Sequence, residues 1–122
     1  MKKSLLTLGI FASAVYSSFA QTKYEYHQMT AVESVVPGGL GRSRLITSGK
    51  DGSMEEIKLE NFFSLVGINF GNIKDNDRTI ASKIEEKANE GWELMSVTPG
   101  VYSADKSTGI FITRYLFRKP KN

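Results

Sequence analysis

The chain has 122 residues, 16 Lys+Arg against 13 Asp+Glu, 40% hydrophobic residues and no cysteine, which bounds it to about one small domain. A multidomain enzyme with a separate cofactor domain is excluded, as are disulfide scaffolds, Cys-based zinc sites, thiol nucleophiles and a lipid-modified cysteine. The sequence therefore predicts no metal and no cofactor, and a fold stabilised by its core alone.

Residues 1–20 read as an export signal. Met1-Lys2-Lys3 gives a positive start, Leu5 to Val15 is mostly apolar, and Ser18-Phe19-Ala20 puts small residues where a signal peptidase reads. The apolar stretch is shorter than the roughly 20 residues a helix needs to cross a bilayer, so the expectation is cleavage between Ala20 and Gln21 and a periplasmic or secreted product. Cleavage removes Lys2 and Lys3, leaving 14 basic and 13 acidic residues on a nearly neutral domain spanning 21–122. No later stretch is long and apolar enough to predict a membrane span.

From Lys23 to Val36, β-formers dominate and alternate in two parities, Tyr24, Tyr26, Gln28, Thr30 and Val32 against Glu25, His27, Met29, Ala31 and Glu33, which predicts a strand. Pro37-Gly38-Gly39-Leu40-Gly41 reads as a reversal. Arg42 to Ser48 fits the returning strand, Gly49 to Gly52 a turn, and Met54 to Leu59 a third strand. Glu60 to Ile73 fits neither period: Phe62, Leu65 and Val66 match a helical face while Val66, Ile68 and Phe70 alternate. The two readings there are a short helix and an irregular packing segment. Arg78 to Glu90, with Asp77 as cap, Ile80, Ala81, Ile84 and Ala88 on one side and Lys83, Glu85, Glu86, Lys87 and Glu90 mostly off it, predicts an amphipathic helix ended by Gly91. Trp92 to Val97 reads as a strand, Thr98-Pro99-Gly100 as a turn, and Gly109 to Phe117, apolar on both parities, as a central strand buried on two faces. This order predicts an α+β domain, an antiparallel sheet of about four to five strands with one main helix packed on one face.

The segment Lys87-Ala-Asn-Glu-Gly91-Trp92-Glu93-Leu94-Met95-Ser96-Val97, the closing Arg114 to Pro120 and the opening Tyr24-Glu25-Tyr26 resemble the small domain family of unknown function called DUF4177. The resemblance covers the two ends of the domain and leaves residues 37–75 as an elaboration. It implies an α+β fold, and the family offers no catalytic residues to transfer. In physical terms, Gly91 turns the chain so that Trp92 covers the end of the core, with ligand stacking as its alternative use.

His27 is the only histidine, so neither a multi-His metal site nor a Ser-His-Asp arrangement built on several histidines is available. On the more polar parity of its strand it reads as a solvated side chain, with a general base or pH-sensing group as the alternative. The pairs Glu55-Glu56 and Glu85-Glu86 point in divergent directions, and Asp75 and Asp77 lack the spacing of a calcium loop. The Gly-rich run 37–42 lacks the Gly-Lys-Ser/Thr ending of a phosphate loop, but Arg42 and Arg44 beside it are candidates for partner contact. The sequence pI is about 9.2, yet the arginines are dispersed, and no nucleic-acid partner is expected.

Phe62 and Phe63 open the densest apolar patch outside the sheet, either core or a partly exposed interface. With Trp92 they complete the candidate binding residues. The functional expectation is an exported, non-enzymatic module that binds an unknown protein partner or forms a homo-oligomer. Its alternatives are a small hydrolase or ligand-processing enzyme using His27, and a soluble carrier of an apolar ligand.

Overall fold

The computed structural model describes residues 21–37, 41–103 and 108–122; residues 1–20, read above as an export signal, and the middle of the first reversal lie outside these. The elements are β1 (Tyr24–Val35), β2 (Ser43–Ser48), β3 (Met54–Leu59), β4 (Phe63–Ser64), β5 (Gly67–Ile68), α1 (Phe70–Asn89), β6 (Glu93–Ser103) and β7 (Gly109–Pro120). Five strands form one antiparallel sheet in the order β3-β2-β1-β7-β6, and β4 and β5 form a separate two-stranded ribbon. The α+β class and single main helix follow the sequence. Among the described residues no helix is long and apolar enough to cross a membrane.

The alternation of β1 decides which side of the sheet meets the helix. Met29 and Ala31 are fully buried and share a face with Phe117 and Tyr115 of β7 and with Leu45 and Leu59 of β2 and β3. Ile80 and Ile84 of α1 close this layer, flanked by Ile57 and Trp92. The opposite face has no second layer among the described residues. Residues Ile110, Ile112 and Leu116 of β7 are consequently half-buried there, which corrects the expectation of a strand buried on both faces.

Two further boundaries differ from the sequence reading. The helix begins at Phe70 because Asn69 caps it, its side chain accepting from the Asn72 N–H at 3.1 Å. The supposed capping region is instead helix interior. Asn76 is fully buried, accepting from the Glu60 N–H (2.7 Å) and donating to the Glu60 carbonyl (2.8 Å) and the Glu33 carboxylate (3.1 Å). Thr98-Pro99-Gly100 is not a turn but part of β6, paired with Thr113 and its neighbours. A proline is compatible with a strand there because β6 is the sheet edge, where only one side needs its donors.

The buried helix stripe also differs from the one the apolar residues mark. Ala81 and Ala88 are exposed, whereas Asn76, Ile80 and Lys87 are buried. Lys87 lays its stem across the core and donates from Nζ to the Ser48 carbonyl at 2.6 Å, so a long cationic side chain caps the open end of β2. Lys83, also expected on the outer face, keeps only 12% of its side chain exposed and pairs with Glu86 (3.0 Å) and Glu55 (3.7 Å). Gly91, at φ +93°, turns the chain out of the helix as expected. Trp92 then packs at the core's edge under Lys119, whose Nζ lies 4.6 Å from the ring centroid, and Glu93 pairs outward with Arg118 at 3.1 Å.

Burial raises the Glu33 pKa, opposed by the hydrogen bond from Asn76, so Asn76 is what makes that carboxylate tolerable in its charged form. Replacing Asn76 with Leu leaves the Glu60 backbone groups and Glu33 without this partner, and we expect a loss of about 2–4 kcal/mol in urea unfolding. An unchanged midpoint would show that Asn76 does not hold the β3–α1 connection.

Candidate interaction surface

The segment that fits neither period becomes the projecting ribbon β4–β5. Phe63 pairs with Ile68 and Ser64 with Gly67, and Gly67 supplies the positive φ, +115°, that closes so tight a reversal. The root is held by polar groups. Asn61 donates from Nδ2 to the carbonyls of Val36 (2.8 Å) and Phe63 (2.6 Å), and its Oδ1 accepts from Ser34 Oγ (3.0 Å) and the Val36 N–H (3.2 Å). Asn72 Nδ2 donates to the Asn61 carbonyl, and the Asn69 N–H to that of Phe62. Phe62 rests on Phe111 of β7, ring centroids 5.5 Å apart.

Above this fixed root the apolar side chains stand in solvent. Leu65 is 89% exposed, Val66 97%, Phe70 68% and Ile68 56%. They continue into a second exposed apolar surface. Leu94, Val97 and Val101 of β6 pair with Phe117, Tyr115 and Phe111, so their side chains point to the same side of the sheet as α1. All three nevertheless remain exposed, Val101 most of all at 70%. The intervening parity of β6 is Ser96, Thr98, Gly100 and Tyr102. Ribbon and strand meet where Phe62 contacts Phe111, the partner of Val101, and residues 61–73 and 94–103 contain no charged side chain in a chain that is 24% charged. A strand with an apolar face and no layer over it is a mark of an interaction site.

The predicted binding residues separate. Phe62 and Phe63 belong to the root of this surface. Arg44 lies with Phe63 and Leu65 around a cavity of 370 Å³ at the foot of the ribbon, whose remaining walls include Lys58, Glu60, Asn61 and Asn72; this is a polar hollow. Arg42 is exposed just before β2. Trp92 stands at the other end of β7, beside His27 and Phe117, so it does not join the others in one site. Sequence reasoning missed the β6 half of the surface, although the missing charge in residues 94–103 was a readable signal.

His27 is on the helix side of β1, not on a solvated face. Its ring lies 5.5 Å from that of Trp92 and 6.0 Å from that of Phe117, with Ser48 Oγ 2.8 Å from Nδ1 and Thr47 Oγ1 3.2 Å from Nε2. Two hydroxyls on opposite nitrogens suit neutral imidazole, which offers one donor and one acceptor. Desolvation holds its pKa below the usual histidine value, Lys87 lowers it further, and Glu90 opposes them.

The chain matches no protein-family model, no curated protein and no solved structure.

Because the native state favours neutral His27, the unfolded chain takes up its proton first on acidification. The associated stability is complete above the unfolded histidine value near 6.5 and is lost as pH falls through the lower folded value. We expect the melting temperature to decline below pH 6.5 and His27→Gln to flatten that decline; identical profiles for both proteins would contradict the assignment.

Proposed function

We propose that the protein is an exported, non-enzymatic α+β domain that acts by binding a protein surface, another copy of itself included, through the ribbon and the adjoining face of β6. The observation that supports this reading is Leu65 and Val66, held almost wholly in solvent on a ribbon whose root is tied by hydrogen bonds. Exposing such side chains costs solubility, and a rigid apolar projection loses little conformational entropy on docking. Export rests on the pattern of residues 1–20, and the likeness to DUF4177 on the Gly91-Trp92 junction and the two ends of the domain.

Protein recovered from the cell envelope should begin at Gln21. Immobilised on a support, it should retain an envelope component or a second copy of itself that is lost on Val66→Asp, with circular dichroism unchanged because Val66 is 97% exposed. Equal retention by wild type and variant would refute the ribbon as the binding element.

A second reading, hydrolysis using His27, is favoured by one contact. Ser48 Oγ lies within hydrogen-bond reach of an imidazole held neutral, the geometry of a nucleophile and its base. If Ser48 is nucleophilic, a fluorophosphonate should label it covalently and His27→Gln should abolish the labelling; an unlabelled Ser48 removes this reading.

A further inference from the structure

We infer that the occupant of the exposed apolar surface is a second copy of the same chain, docked about a two-fold axis so that the ribbon of each protomer lies on the β6 face of the other. This deepens the binding role proposed above and rests on it. Three observations support it.

The surface has two unlike halves. One is a projection, Leu65 and Val66 at the tip of a two-stranded ribbon with Ile68 and Phe70 behind them. The other is a flat strip, Leu94, Val97 and Val101 along the outer strand of the sheet. A projection paired with a strip is a contact of two unlike patches, and one two-fold rotation makes that contact twice.

The area agrees with reciprocity. At roughly 100 Å² for each large apolar side chain, the four on the ribbon side and the four that include Phe111 on the strand side come to about 800 Å² per protomer if both contacts form. A stable pair of proteins buries about 800 Å² per partner. A single, unreciprocated contact would bury about half of that, which is the size of weak encounters.

The charge pattern agrees as well. Charged side chains are depleted from interface cores and retained at rims. The uncharged runs 61–73 and 94–103 are bounded by Glu60 and Lys74, and by Glu93 and Asp105. Glu60 and Glu93 are already engaged by Lys58 and Arg118 of their own protomer, so the rim brings no unpaired acid into the contact from those positions.

The test is light scattering on the exported protein with substitutions at exposed positions. Wild type should have the mass of a dimer. Val66→Asp and Val101→Lys should each halve that mass while keeping the circular dichroism of the folded chain, and wild type alone should melt at a temperature that rises with protein concentration. Mixed in equal amounts, the two variants should recover the dimer mass. One interface of the mixed pair is native, and in the other the new carboxylate faces the new ammonium. A monomeric wild type, variants that remain dimeric, or a mixture that stays monomeric would each overturn the reciprocal arrangement. If wild type is monomeric but still loses a bound envelope protein on Val66→Asp, the second copy is wrong and the binding role stands. If neither mass nor retention changes, both fail.

Discussion

One helix has to cover five strands. The sheet spans roughly 20–24 Å across its strands, and a helix with its side chains is about 10–12 Å wide, so α1 shields only part of its side of the sheet. The helix lies over Met29, Ala31, Leu45 and Phe117, which are fully buried, and leaves the apolar side chains of β6 in solvent. The shortfall is one of geometry and not of hydrophobicity, because Leu94, Val97 and Val101 are as apolar as the residues beneath the helix. The exposed apolar strip along β6 follows from that mismatch in width.

A small, incompletely covered core puts more weight on polar groups than a larger domain would. Asn61 and Asn76 use short amides that donate and accept at once, and Asn72 donates to the Asn61 carbonyl, joining the end of β3, the root of the ribbon and the start of α1 without a charge. Ser34 and Ser43 extend the same lattice between β1 and β2. Among the described residues no buried side-chain nitrogen or oxygen is left without a hydrogen-bond partner, as a low-dielectric interior requires. Lys87 obeys the same rule at the other end of the helix, with its charge spent on the Ser48 carbonyl.

These polar positions are also where sequence reading and structure part. Strands β1, β2 and β3 were legible because alternation and turn residues agreed, and Gly91 was legible because few residues end a helix so economically. The start of α1 was not, because Asn69 and Asp77 are equally good caps by residue type and only the neighbouring Asn76, buried against the Glu60 backbone, shows that 76–77 lies inside the helix. Lys87 was read as an outward charge because periodicity records the head of a lysine and not its stem. His27 was misplaced because the parity of β1 that carries Glu25 and Glu33 is the one that meets the helix. At the candidate surface the phenylalanines at 62 and 63 were found by their density. The strand half was hidden behind Pro99-Gly100, which read as a turn in one dimension and is an edge strand in three.

The order β3-β2-β1-β7-β6 places the first and last long strands side by side, in register from Tyr24 with Pro120 to Val35 with Gly109. The middle of the sheet therefore joins residues about 75 to 95 positions apart in sequence, and its closure must await β7. Such a pairing raises contact order and slows folding relative to a helical domain of equal length. The hairpins β1–β2–β3 and β6–β7 can form locally, but neither has a complete core until they meet. A sheet built this way stays open until β7 has been made, and a truncation that removed β7 would leave β1 as an open edge and β6 without a partner strand.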